Sequence, residues 1–249
     1  MLLNQKLVEH FRIQAEKVTV QKLCIGLGYT AVQTSDGGMG VAYTFFESKL
    51  SCQPVGLFDQ VEGQPAIVLL EKISSTNRLE KSAALALVNA LNYQLALSLP
   101  EDRKNKGLFE QLEVRKGTRV AMVGFFGPMM KTFHERGALL EILDDTRKMG
   151  RPDDFYTKLE TWADVLFLTS TSILNGTTEE VLEHTGDRVR TVMLGPSTPM
   201  VAEAFSHLPV HFLAGTVPID QRQVLRAICH GAGTPVIHRF SRKAWMRLG

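Results

Sequence analysis

The chain has 249 residues, 44% hydrophobic and 22% charged, with a formal net charge of +2. A balance so near zero, with Lys and Arg scattered along the chain, argues against nucleic acid as a partner. No stretch approaches the roughly 18 apolar residues of a membrane span, and Asn4, Lys6 and Glu9 come too early for a signal peptide, so a soluble cytoplasmic protein with no membrane partner is expected. Cys24, Cys52 and Cys229 are far apart and form no CxxC. This odd, sparse set argues against a disulfide framework and fits a reducing compartment.

Leu3, Leu7, Val8, Phe11 and Ala15 fall at helical spacing and predict an amphipathic helix at the start of the chain. Val18 to Val32 reads as extended chain interrupted by Gly26 and Gly28. Asp36-Gly37-Gly38 is a hairpin turn signal that returns Met39 to Phe46 as the partner strand. Glycine at 26, 28 and 40 implies bulged strands or a backbone closely approached by a ligand or a neighbour. Ala66 to Leu70 is a short strand candidate, and Thr76 to Leu97 a long helix with Ala84, Leu87, Val88, Leu91 and Leu95 on one face. Asn89 and Asn92 sit among these apolar residues and must find partners. Pro100 to Gly117 is rich in charge and reads as a domain connection, with a short helix near 108–114. Two domains are therefore expected, 1–117 and 118–249.

The second half alternates strands and helices. The expected strands are Arg119–Phe126, Ala138–Leu143, Val165–Leu168, Val189–Leu194, Val210–Leu213 and Pro235–Phe240. The expected helices start at Gly127-Pro128 and cover Asp153–Thr161, Met200–Ser206 and Gln221–His230. Short β/α alternation is the pattern of a doubly wound parallel sheet. In such sheets ligands sit beyond the carboxyl ends of the strands. That edge gathers Gly124 to Gly127, Asp144-Asp145, Ser170 to Thr177, Gly195 to Pro199 and Gly215-Thr216. Their hydroxyls, amides and carboxylates suit a polar or anionic small molecule.

Gly124-Phe125-Phe126-Gly127 is not the GxGxxG of a dinucleotide site, although Asp144 lies where a ribose-binding acid belongs. Phe125 or Phe126 could stack on a ring or pack under the loop. Thr177 and Glu180 read as a capping box, Asp220 and Gln223 as a similar cap, and Ser197-Thr198-Pro199 as a helix start. No His or Cys spacing matches a zinc site: Pro209 separates His207 from His211, and Cys229 adjoins His230.

The segments from Ala163 to Thr177, Leu194-Gly195-Pro196-Ser197-Thr198-Pro199 and Leu213-Ala214-Gly215 resemble the Rossmann-like domain of the family described as putative heavy-metal chelation. Ile25 to Val32 with Asp36-Gly37-Gly38 resembles that family's N-terminal domain, which is similar to the N-terminal domain of enolases. The resemblance implies an α/β fold, with an α+β enolase-N-terminal-like domain followed by a Rossmann-like doubly wound sheet and a ligand cleft between them. Carried onto this chain by motif, the cleft residues are Thr30, Gly124, Asp144, Ser170, Thr171, Asn175, Gly176, Thr177, Gly195, Ser197 and Thr198. The expected ligand is an anionic or heteroaromatic small molecule, alone or as a metal complex, and the expected cofactor is a transition metal or a metal complex. The alternatives are a transferase or oxidoreductase using a nucleotide-type cofactor, and an accessory subunit that delivers a metal or cofactor. Homo-oligomer formation stays open.

Overall fold

Leu3, Leu7, Phe11 and Ala15 recur every fourth residue. In the computed structural model, which describes residues 2–46 and 61–249, they form the buried stripe of helix Leu2–Lys17. Cys52 lies outside the described residues.

Three strands follow in an antiparallel sheet: β1 (Val20–Ile25), β2 (Tyr29–Thr34) and β3 (Met39–Tyr43). The β2–β3 turn works because Gly37 takes φ +85° and the Asp36 carboxylate accepts from the Thr34 hydroxyl and the Gly38 amide. Side chains alternate across this sheet. Val32 and Ala42 face the Arg78–Leu91 helix, while Ala31, Met39 and Val41 face helix Gln221–Cys229. Two of the three glycines, Gly26 and Gly40, answer to close packing, whereas a Cβ on Gly28 would meet only ordinary contacts of 3.5 Å and more. A Cβ on Gly40 would lie 2.1 Å from the Ala86 carbonyl oxygen, and one on Gly26 2.3 Å from that of Ile228.

Helix Arg78–Leu91 begins where the Asn77 carboxamide accepts from the Leu79 and Glu80 amides. It buries every residue from Ser82 to Val88. The expected single helix through Leu97 is instead two, because Asn92 (φ −84°, ψ 3°) closes the first and Tyr93–Ser98 resumes. Ala66 to Leu70 is not a strand. Ala66, Leu69, Leu70 and Ile73 are buried at helical spacing while Val68 is exposed, so Ile67–Leu70 is helical and passes into a 3₁₀ turn at Glu71–Ser74. The charged stretch carries a helix at Lys106–Gln111, whose Leu108 and Phe109 join the core under the second sheet.

That sheet contains β4 (Arg119–Val123), β5 (Leu139–Leu143), β6 (Val165–Thr169), β7 (Arg190–Leu194), β8 (Phe212–Pro218) and β9 (Ser241–Arg247). Their order is β5-β4-β6-β7-β8-β9, parallel except for β9, which runs antiparallel to β8. Both faces are covered, which is why these strands read as apolar runs. Val165 and Phe167 pack on one side with Phe109 and Phe133, while Leu166 and Leu168 pack on the other with Met193 and Leu213.

Two expectations near the C-terminal end are corrected. Pro235 to Phe240 is not a strand: Thr234–Ile237 is a helical turn with proline at its start and His238–Phe240 a 3₁₀ turn, and the last strand is β9. Met200 to Ser206 carries only the 3₁₀ turn Ala202–Phe205. Among the described residues no helix is long and apolar enough to cross a membrane.

Candidate functional site

The strand order places β5 on one side of β4 and β6 on the other, so the chain reverses its winding direction at the β4/β6 boundary. Carboxyl ends that splay at such a switch point leave a crevice. Here it is a cleft of about 370 Å³. Phe125 and Phe126 enter it after β4, Thr169 to Thr171 at the end of β6, Gly195 to Ser197 after β7, and Gly215 and Thr216 from β8. Tyr29 and Tyr43 of the three-stranded sheet cover it from the other side, and Thr234, His238 and Lys243 close the end.

Glycine is required at two of these loops. Gly195 has φ +136°, and a Cβ there would lie 2.7 Å from the Ser170 hydroxyl oxygen. Gly124 has φ +85° and packs against the Thr169 side chain. The loops after β4, β6 and β7 are thus held close enough to form one wall.

Several of the polar groups around the cleft are paired within the protein. The Tyr29 and Thr234 hydroxyls share a 2.6 Å hydrogen bond across the two sheets' elements, and those of Thr169 and Thr171 share one of 2.9 Å. The Ser197 hydroxyl accepts from the Tyr43 amide at 2.7 Å. Asn89 donates to the carbonyls of Val41 and Ser197, and Asn92 to that of Met200. Asn89 on the long helix and Asn92, which closes it, are therefore satisfied amides that hold the segment after β7, and Asn89 also ties it to β3.

The Thr216 hydroxyl and His238 Nε2 lie 3.1 Å apart. Burial, and then the positive charge of Lys243, push the His238 pKa down to about 4. The imidazole is neutral at pH 7. Burial also lowers the Lys243 pKa, against an upward pull from Asp102, and raises that of Tyr29. The depressed histidine has a sign for stability. The unfolded chain takes up this proton near pH 6.5 and the folded chain only near 4, so the fold loses stability as pH falls through that window. The His238 ring signals in an NMR titration should move with a midpoint near 4 and be absent from His238→Gln; a midpoint near 6.5 would mean that the ring is solvated.

Of the residues expected at the cleft, Ser170, Thr171, Gly195 and Ser197 line it. The others do not. The Thr30 hydroxyl is buried against that of Thr44. Asp144 accepts from the Arg147 amide at 2.9 Å and its guanidinium at 3.1 Å, and Arg147 lies over the Phe125 ring. That carboxylate orients a cleft wall. Asn175, Gly176 and Thr177 form a tight turn in which the Asn175 side-chain carboxamide oxygen accepts from the Thr177 amide and hydroxyl, and Gly176 has φ +81°. Thr177 thus caps no helix with its side chain, whereas Asp220 does accept from the Gln223 amide. Thr198 is buried and begins no helix: residues 198–201 run irregularly, with Thr198 and Met200 packed against Gly215 of β8. Gly215 and Thr216, expected in a loop, belong to β8. The sequence reading missed Tyr43, Thr234, His238 and Lys243; the period-2 apolar set Ala244, Met246, Leu248 was the available sign that the strand lay later.

A family implied to handle metal invites a test of the donor set. Among the described residues no three His, Cys, Asp or Glu side chains gather around a common point. The cleft lining has one imidazole and no carboxylate. These residues do not fit a metal held by protein ligands alone.

Comparison with known proteins agrees with the fold. A family model described as putative heavy-metal chelation matches residues 107–247, and a second with the same description matches residues 8–92. No curated protein matches. Two crystal structures of DUF364 family proteins with unknown function are similar. The one from Pyrococcus horikoshii has TM-score 0.82 and 20% identity over 100% of both chains. The one from Desulfitobacterium hafniense has TM-score 0.76 and 22% identity over 98% of both.

Proposed function

The chain belongs to the family described as putative heavy-metal chelation, and from this premise we propose that its cleft binds a flat, anionic heteroaromatic molecule, free or as its metal complex. One observation carries the reading. The lining combines four aromatic rings, Tyr29, Tyr43, Phe125 and Phe126, with hydroxyls, one lysine, one neutral imidazole and no carboxylate. Rings offer faces for stacking, the hydroxyls and loop amides accept or donate to ring substituents, and Lys243 supplies the counter-charge. With no donor cluster among the described residues, chelation has a different owner in this reading: the small molecule's own nitrogen and oxygen atoms hold the metal, and the protein holds the small molecule.

Pyridine-2,6-dicarboxylate, a planar chelating dianion, is a direct probe. Calorimetry should show it binding, and Lys243→Met should weaken that binding about tenfold, the worth of one charge-assisted contact of ~1.4 kcal/mol. Because a bound anion favours the charged ammonium, affinity should also fall as pH rises toward the lowered Lys243 pKa. Equal affinity in Lys243→Met, or free zinc binding more tightly than the zinc–dicarboxylate complex, would refute the reading.

A further inference from the structure

Cys24 and Cys229 stand 205 positions apart, yet their sulfurs lie 2.8 Å apart. Cys24 is on β1 and half-buried; Cys229 is the exposed last residue of helix Gln221–Cys229. The pair joins the two sheets' elements at one point. β1 belongs to the three-stranded sheet, and the helix belongs to the connection between β8 and β9. The sulfurs need little further approach to reach the roughly 2.04 Å of a covalent bond.

We propose that Cys24 and Cys229 are a reversible dithiol/disulfide pair, oxidised by a low-molecular-weight disulfide such as glutathione disulfide. The exposed Cys229 thiolate attacks one sulfur of the oxidant, forms a mixed disulfide and expels one thiolate. Cys24 then loses its proton to water and attacks the Cys229 sulfur. The protein disulfide forms and the second small thiol leaves. Two protein thiols give up two electrons and two protons, and the oxidant becomes two thiols. The order of attack follows exposure. Burial and then the neighbouring Cys229 sulfur hold the Cys24 thiol up at about 12, and capping Cys229 as a mixed disulfide removes the second of these influences just when Cys24 must ionise.

The position gives the bond a consequence. After Cys229 the chain turns through Gly231 (φ +72°) and reaches Thr234, whose hydroxyl meets Tyr29 at the cleft. Tyr29 lies five positions beyond Cys24 on the adjoining strand. A bond between the cysteines would clamp the same two segments whose tips form the cleft rim.

The test is a non-reducing peptide map of the full chain after equilibration with glutathione disulfide, acid quench and alkylation. The expected result is a Cys24–Cys229 cross-linked peptide and a fall in free thiols from the three in the sequence to one. Cys24→Ser should instead retain a glutathione adduct on Cys229 that does not resolve. A dominant cross-link through Cys52, or a Cys229 adduct that persists in the unaltered chain, would overturn the proposal.

Discussion

Phe167→Ala should lower the free energy of unfolding by about 3–5 kcal/mol, the range for emptying a fully buried aromatic site. Phe167 is 0% exposed at the middle of β6, the strand beside the switch point. Its ring meets Phe133 edge-on at 5.0 Å and Phe109 at 5.7 Å. Backbone pairing to β4 and β7 on both flanks leaves β6 little freedom to collapse into the void, so the cavity cost adds to the lost transfer energy. Urea unfolding should show a lower midpoint at an unchanged slope. Phe167→Leu, which refills much of the volume, should cost far less. A loss below about 1 kcal/mol in Phe167→Ala would mean that this aromatic cluster does not set the stability of the sheet.

Gly40→Ala tests the opposite fault, one methyl too many. The new carbon would lie 2.1 Å from the Ala86 carbonyl oxygen and 2.3 Å from the Ala90 amide nitrogen, both backbone atoms of the long helix. No rotamer relieves such a contact; the helix must move off β3. The expected cost is about 3 kcal/mol, the upper end of ordinary overpacking. The helix also carries Asn89 and Asn92, whose carboxamides hold the carbonyls of Ser197 and Met200. Its displacement should therefore reach the β7 loop and weaken binding of pyridine-2,6-dicarboxylate in the protein that remains folded. Gly37→Ala is the control. Nothing lies within 4 Å of that position, but its φ of +85° disfavours a side chain, so it should cost about 1–2 kcal/mol and leave binding unchanged. Equal losses from the two substitutions would show that close helix packing is not what Gly40 provides.

The parallel sheet is legible in the sequence because its strands are buried on both faces. Val165 to Leu168 can be nothing but apolar when each side meets a different core. The position of Ser170, Thr171, Gly195 and Ser197 at the ends of such strands then places them at the cleft without further information. Other features are set by elements that cross. His238 and Lys243 reach the cleft only because the chain takes a helical turn after Pro235 and comes back antiparallel to β8. A six-residue run beginning with proline does not distinguish that path from a strand. Asn175, Gly176 and Thr177 resemble a ligand loop in composition, yet the Asn175 carboxamide turns in on the Thr177 amide and hydroxyl. Cys24 and Cys229 show the same limit at its longest range, since no local pattern records a partner 205 positions away.

The cross-sheet contacts also dictate when the molecule can be finished. Tyr29 waits for Thr234, Gln33 for Gln221, and the Leu3 amide for the Glu179 carboxylate. A nascent chain could lay down the three-stranded sheet and the long helix early, but one face of that sheet stays bare until Val224 and Ile228 have been synthesised. Closing loops this long costs entropy before any contact rewards it. Maturation should therefore have a late, slow phase in which ring packing around Tyr29 and the Thr234 turn appear together. Until then Ala31, Met39 and Val41 are an adhesive surface, so crowding of half-made chains, more than any weakness of the finished molecule, is where its yield would be lost.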